Sequence, residues 1–154
     1  MVQNSQYILA VDTGLTGCKA VIFKCDGGVL TEAQRPTPVI SGRNGRSEID
    51  MVELWNTVCR LIREVTGQLG TPENVVCVGF SGHGNGLYCI DAVGAPVGRS
   101  VTSMDCRAAG EVVSLAPHDA EFLSRKSMQQ LWPGQPGMIL RWLKQAEPER
   151  YRNI

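Results

Sequence analysis

The sequence predicts an α/β domain built on a mixed, five-stranded sheet flanked by helices. Three observations carry this. Five short apolar or β-branched runs, at residues 7–11, 19–23, 29–34, 75–80 and 87–90, are bounded by glycine and aspartate. A single segment with apolar residues at helical spacing, residues 51–69, separates the third run from the fourth. From Arg107 onward the pattern is mostly helical. The order β-β-β-α-β-β followed by helices is not strict βαβ alternation, so the sheet is expected to mix parallel and antiparallel pairs.

The elements follow in order. Residues 7–11 (YILAV) read as a buried strand ending at Asp12. The turn Thr13-Gly14-Leu15-Thr16-Gly17 leads into a second strand, Lys19-Ala20-Val21-Ile22-Phe23. Asp26-Gly27-Gly28 is a hairpin signal before a third strand over 29–34, and residues 36–49 read as a loop. Asp50 with Glu53 three residues on reads as a helix start. Leu54, Val58, Leu61, Ile62, Val65 and Leu69 then recur at helical spacing up to Gly70, with Trp55 on the same apolar side. A fourth strand, Val75 to Phe80, runs into Ser81-Gly82-His83-Gly84-Asn85-Gly86. A fifth, Leu87 to Ile90, closes at the turn over residues 91–96. Helices are expected over 107–115, 119–130 and 138–146, with Trp142, like Trp55, expected in the core.

Composition excludes several classes. The chain has 154 residues, 43% of them hydrophobic, which suits one domain with its own core and is short for two domains with a cleft between them. Fifteen Lys+Arg against 15 Asp+Glu leave no basic footprint for nucleic acid or acidic membranes. Six scattered cysteines without a CxxC pair read as reduced thiols, and two histidines exclude a multi-histidine metal site. The start of the chain has no basic leader region, so a cytoplasmic protein is expected.

The most informative stretch is Asp12-Thr13-Gly14-Leu15-Thr16-Gly17-Cys18-Lys19. It is neither a Walker A loop nor a GxGxxG fingerprint, because both feed a helix and this turn feeds a strand. Small residues let backbone N–H groups wrap phosphate oxygens, Thr13 and Thr16 can add hydroxyl donors, and Lys19 can add positive charge. A carboxylate beside phosphates repels them unless a cation lies between, so Asp12 makes most sense holding Mg²⁺. The plainer alternative is a hairpin whose aspartate ends a strand and whose glycines serve only the turn.

Asp12-Thr13-Gly14-Leu15-Thr16 with Lys19 resembles the first phosphate motif of the sugar-kinase, Hsp70 and actin superfamily, whose fold is ribonuclease-H-like. Gly45-Arg46-Ser47-Glu48-Ile49-Asp50 followed by Trp55 resembles a segment of the FGGY carbohydrate kinases. So does Val78-Gly79-Phe80-Ser81-Gly82-His83-Gly84-Asn85-Gly86, which is similar to that family's second core strand and sugar-binding turn. Ser103-Met104-Asp105-Cys106-Arg107 sits where xylulose kinases carry a W-N-D-x-R pattern. The tail, from Leu131-Trp132-Pro133-Gly134 to Tyr151, resembles the L-xylulose kinase branch.

The resemblance implies transfer of the γ-phosphoryl of MgATP to a hydroxyl of a small sugar, with a pentulose such as L-xylulose expected. It implies Asp12 on Mg²⁺, and Thr13, Gly14, Thr16 and Lys19 on the ATP phosphates. His83, Gly84 and Asn85 are implied to line the sugar site, Asp105 to accept hydrogen bonds from sugar hydroxyls, and Trp132 to wall the pocket. Asp105 can equally cap the helix beginning near Arg107, and the two roles can coexist. The resemblance further implies that residues 1–154 are most of an N-terminal sugar-binding domain. The general-base aspartate and the nucleotide-binding domain are then expected beyond residue 154, which leaves this chain inactive alone. Gly84-Asn85 replaces the Arg-Glu of glycerol kinases, and Ser103 replaces a common tryptophan, which implies a wider or wetter pocket. The expected partners are ATP and a small sugar, without nucleic acid or membrane, and a homodimer of the full-length protein stays open. A polyol such as erythritol as substrate, a non-catalytic sugar- or phosphate-binding module, and an actin- or Hsp70-like ATPase are the alternatives.

Overall fold

The computed structural model describes residues 6–154 and divides them into two compact units. The first holds the described residues up to Pro38 together with Val52–His83; the second holds Val39–Met51 with Gly84–Ile154.

The first unit is a mixed sheet with one helix. Strands β1 (Tyr7–Thr13), β2 (Gly17–Lys24) and β3 (Val29–Pro36) form an antiparallel meander. After helix α1 (Met51–Thr66), strand β6 (Val75–Gly82) returns parallel to β1, giving the order β3-β2-β1-β6. Alternation along the strands sends Leu9, Val11, Cys18, Ala20, Ile22 and Ala33 to one face, where they pack on Val58, Leu61 and Val65 of α1. Asp12, Lys19 and Ser81, level with one another in register, lie on the opposite face. Val76, Val78 and Phe80 of the edge strand β6 are exposed. Trp55, expected in the core, is 61% exposed: it lies a step of about 100° round the helix from Leu54 and misses the buried stripe of 58, 61 and 65.

Among the described residues the main sheet has four strands, not five. Leu87 to Ile90 makes only isolated bridges, Leu87 to Val101 and Ile90 to Pro96. The chain reverses directly after this run at Asp91, whose Oδ1 accepts the N–H groups of Val93 and Ala95. The expected loop at 36–49 instead contains β4 (Val39–Ser41), a 3-10 turn (Arg43–Gly45) and β5 (Ser47–Ile49). These join β7 (Ser100–Val101) in a second sheet of order β4-β5-β7, so distant Ser100 and Val101 supply the pairing that makes this polar stretch extended.

The second unit completes itself with α2 (Ala109–Val113), α3 (Pro117–Ser127), α4 (Pro136–Ala146) and α5 (Pro148–Arg152). Proline opens α3, α4 and α5, where its missing N–H costs nothing. Val101, Ile139 and Leu143 form a small core with Leu87, Leu140, Trp142 and Tyr151 around it. Arg150 of α5 donates from Nε to Val97 O at 3.1 Å and from Nη2 to Arg99 O, lying over Gly98. Gly98 has φ +70°, and a Cβ there would come within 2.9 Å of Arg150 Nε. Gly98→Ala is therefore expected to cost about 1–2 kcal/mol in urea unfolding. An unchanged midpoint would contradict that reading of the 97–99 turn.

Candidate functional site

The glycine turn is built on the ends of three strands. Asp12 stands near the C-terminal end of β1 with an exposed carboxylate, which no hydrogen bond or ion pair engages among the described residues. The turn closes through Gly14 N–H to Gly17 O at 3.0 Å. It is held from outside by Thr37, a buried residue to which sequence reasoning assigned nothing. Thr37 Oγ1 donates to Gly14 O at 2.6 Å, and its N–H donates to Thr16 O at 3.3 Å. The local signal was a hydroxyl residue set between Pro36 and Pro38, directly after β3. Asp12, Gly14, Thr16, Lys19 and Arg35 line an open groove of about 590 Å³. Lys19 lies in this groove with its Nζ 2.7 Å from Glu32, so its charge is already paired on the sheet surface.

Because β1 and β6 are parallel neighbours, their C-terminal ends coincide. Thr13 O accepts the N–H of His83 at 3.0 Å, and Thr13 Oγ1 donates to Ser81 O at 3.4 Å. Gly82 is the residue this approach requires, since a Cβ there would stand 2.9 Å from Thr13 Oγ1. The turn at 13–17 and His83 are thus joined by the sheet, at the edge where open α/β sheets bind ligands. His83 is half-buried, and burial lowers its pKa, so the imidazole is neutral at neutral pH. Gly84 and Asn85 follow it, exposed and half-buried respectively.

In the second unit, Asp105 is wholly enclosed, with 0% of its side chain exposed. Oδ1 accepts the Arg107 N–H and Nε at 2.8 Å each; Oδ2 accepts Ser47 N–H at 2.7 Å and Arg107 Nη2 at 2.9 Å. Four donors occupy the four acceptor positions of a carboxylate. These bonds give Asp105 an internal role, but it does not cap the helix: α2 begins at Ala109 with Ala108 at its N-cap and no side-chain cap, and Asp105 Oδ1 instead closes the turn at the Arg107 N–H. Burial pushes this carboxyl up, but the Arg107 side chain, the two backbone N–H groups and the Arg107 charge outweigh it and hold it below its ordinary value.

Arg107, 3% exposed at its side chain, also donates from Nη2 to Glu48 Oε1 at 2.6 Å, so one guanidinium bridges two carboxylates. Burial likewise opposes ionisation of Glu48, and its hydrogen bond to Arg107 with the charges of Arg107 and Arg46 and the bond from Arg99 brings the net pKa down. The Arg107 and Arg46 guanidinium carbons lie 5.3 and 5.7 Å from the Trp142 ring centroid. Trp132 Nε1 donates to Ser103 O at 3.2 Å, and Gly134 packs directly on the Ser103 backbone. Sequence reasoning quoted Glu48 and Arg107 only as motif members; their pairing joins two segments 59 residues apart.

Among the described residues no three His, Cys, Asp or Glu side chains gather as a metal cluster, no helix is long and apolar enough to cross a membrane, and all six cysteines are free.

The chain was compared with known proteins. Residues 7–154 match the family model described as the FGGY family of carbohydrate kinases, N-terminal domain. The chain is 37% identical over 153 residues to a probable L-xylulose kinase of Haemophilus influenzae, covering 96% of this chain and 31% of that protein. It is 36% identical over 153 residues to the L-xylulose/3-keto-L-gulonate kinase of Escherichia coli, covering 97% and 30%. The chain thus spans about a third of the length of the curated relatives it matches. Among solved structures, a gluconate kinase of Lactobacillus acidophilus superposes with a TM-score of 0.88 at 22% identity, covering 97% of this chain and 30% of that one. A ligand-bound xylulose kinase of the same organism gives 0.87 at 23%, covering 96% and 30%. These structural matches establish the ribonuclease-H-like fold shared by sugar kinases, actin and Hsp70.

Proposed function

Because the chain belongs to the FGGY family of carbohydrate kinases, we propose that it is the sugar-binding part of an ATP-dependent kinase for a small ketose, with L-xylulose the first candidate. The observation that carries this reading is the junction of β1 and β6, where the 13–17 turn and His83 meet through Thr13 O. In this proposal Thr13, Gly14 and Thr16 receive the ATP phosphates. Lys19 exchanges its exposed Glu32 partner for a phosphate oxygen, at small cost because surface ion pairs are weak. Asp12 fits Mg²⁺, since its exposed carboxylate is one hard oxygen donor and Mg²⁺ takes one or two carboxylates beside phosphates and waters. When bound, Mg²⁺ neutralises charge on the transferring phosphate.

Neutral His83 suits a hydrogen bond to a sugar hydroxyl, with Gly84 and Asn85 next to it in sequence; Trp132 is proposed as an apolar wall from its motif alone. The two L-xylulose relatives favour a ketopentose over glycerol, and Gly84-Asn85 in place of Arg-Glu agrees with that. The general base and adenine site are assigned to sequence that this chain does not contain, so residues 1–154 alone are expected to have no turnover.

The test is a thermal-shift and calorimetric panel of ketopentoses, polyols and MgATP on this chain. L-xylulose at 100 times its Kd is expected to add about 2.7 kcal/mol of stability. Asp12→Asn is expected to remove the Mg²⁺ dependence of ATP binding while leaving the sugar response intact. Absence of stabilisation by every sugar and polyol would overturn the reading.

A further inference from the structure

The Glu48–Arg107 pair lies outside the proposed phosphate and sugar contacts, yet it is among the most enclosed ion pairs described, with side chains 15% and 3% exposed. We propose that Glu48 is a positioning residue for the Trp132 wall, acting through Arg107 and Asp105; this rests on the reading of Trp132 as part of the sugar site.

The indole of the wall bonds one carbonyl, and its loop leads into α4. Trp132 is tied to Ser103 O, and Ser103 sits in a turn closed by Asp105 N–H to Thr102 O at 3.1 Å and Met104 N–H to Thr102 Oγ1 at 3.3 Å. That turn is fastened to the neighbouring strand through Ser47: Thr102 N–H to Ser47 O at 2.9 Å, Thr102 Oγ1 to Ser47 Oγ at 2.7 Å, and Ser47 N–H to Asp105 Oδ2 at 2.7 Å. Glu48, next in the chain, shares Arg107 Nη2 with Asp105, which also takes Nε, while Nη1 is buried without a partner among the described residues. The face of the same guanidinium lies over Trp142 of α4, the helix that begins two residues after Gly134.

A planar fork bound on its edge by two carboxylates and on its face by an aromatic ring has one orientation. Glu48 sets that orientation from the strand side, so both supports of Trp132, the Ser103 turn and the start of α4, are referred to one plane. Removing Glu48 leaves the Asp105–Arg107 contacts in place and lets that plane turn. The expected result is displacement of the wall rather than loss of fold. Arg99, at 3.5 Å from Glu48 and half exposed, is too loosely held to take over.

The test follows the ¹⁵N-labelled indole signals of Trp132 and Trp142 in the whole chain, with Glu48→Ala, Glu48→Gln and Val58→Ala compared. Val58→Ala is a control that weakens the core of the other unit. Glu48→Ala is expected to move the Trp132 indole signal and speed its exchange with solvent on the order of tenfold. Glu48→Gln, which keeps an acceptor oxygen for Arg107, restores most of the wild-type signal, and Val58→Ala moves neither indole. Affinity for L-xylulose falls by up to about 100-fold in Glu48→Ala. A Trp132 signal unchanged in Glu48→Ala, or moved equally by Val58→Ala, overturns the proposal. A wild-type chain that binds no ketopentose or polyol of the panel while Glu48→Ala still shifts Trp132 supports the positioning role and sinks the sugar reading instead.

Discussion

Asp105→Ala is expected to destabilise the folded chain by about 3–5 kcal/mol, the loss typical of breaking a buried ion pair from one side. The carboxylate is fully enclosed and takes four donors, so alanine strands the Arg107 Nε and backbone N–H and the Ser47 N–H together. Asp105→Asn keeps the volume and one acceptor oxygen, and is expected to recover only part of the loss. The pH dependence has a definite sign. Asp105 and Glu48 both titrate below their ordinary values in the folded chain, so unfolding releases carboxylates that bind protons more readily. Their contribution is complete above the ordinary carboxylate pKa and disappears as pH falls through the lowered folded values, below about pH 4. Denaturant titrations at pH 7 and pH 3 measure this: the gap between wild type and Asp105→Ala should narrow in acid. A gap independent of pH would remove the ionised Asp105 from the account.

Gly134→Ala carries the second large effect. A Cβ at this position would overlap the Ser103 carbonyl group and stand 2.9 Å from Ser103 Cα, all backbone atoms that cannot swing aside. Ser103 belongs to the turn that Asp105 and Ser47 hold, so the strain falls on the Trp132-Pro133-Gly134 loop. The expected cost is about 3 kcal/mol or more, at or beyond the upper end for overpacking, with loss of the Trp132 Nε1 hydrogen bond to Ser103 O. Urea unfolding and the Trp132 indole signal check the two parts separately. A variant with wild-type stability would mean that the loop and the Ser103 turn do not approach as described.

The legible parts of the site were those whose chemistry is local. The turn from Asp12 to Lys19 announced itself because a strand, small residues, hydroxyls and a cation follow one another within eight positions, and hydrogen bonds within that stretch close it. Thr37 was not legible, although it holds the same turn, because its role depends on β3 lying beside β2. Glu48 and Arg107 were visible as members of two separate motifs, while the ion pair that unites them depends on β5 meeting β7. Asp105 shows the limit most sharply. An aspartate before a helix suits capping and ligand binding alike, and only the tertiary structure shows its bonds going to Ser47 and Arg107 while Ala108 stands at the N-cap of α2.

Periodicity and turn chemistry, written in neighbouring residues, determined by themselves the three-strand meander, the single long helix and the two glycine-bearing turns. The motif residues pointed in addition to the family and its fold. Tertiary structure alone decided that the main sheet has four strands, that residues 39–41 and 47–49 are extended, that Trp55 faces solvent and that Asp105 is internally consumed. The physical reason is the same in each case. Strand pairing and burial depend on which distant backbone arrives alongside, and a carboxylate's free lone pairs depend on which distant donors reach it first.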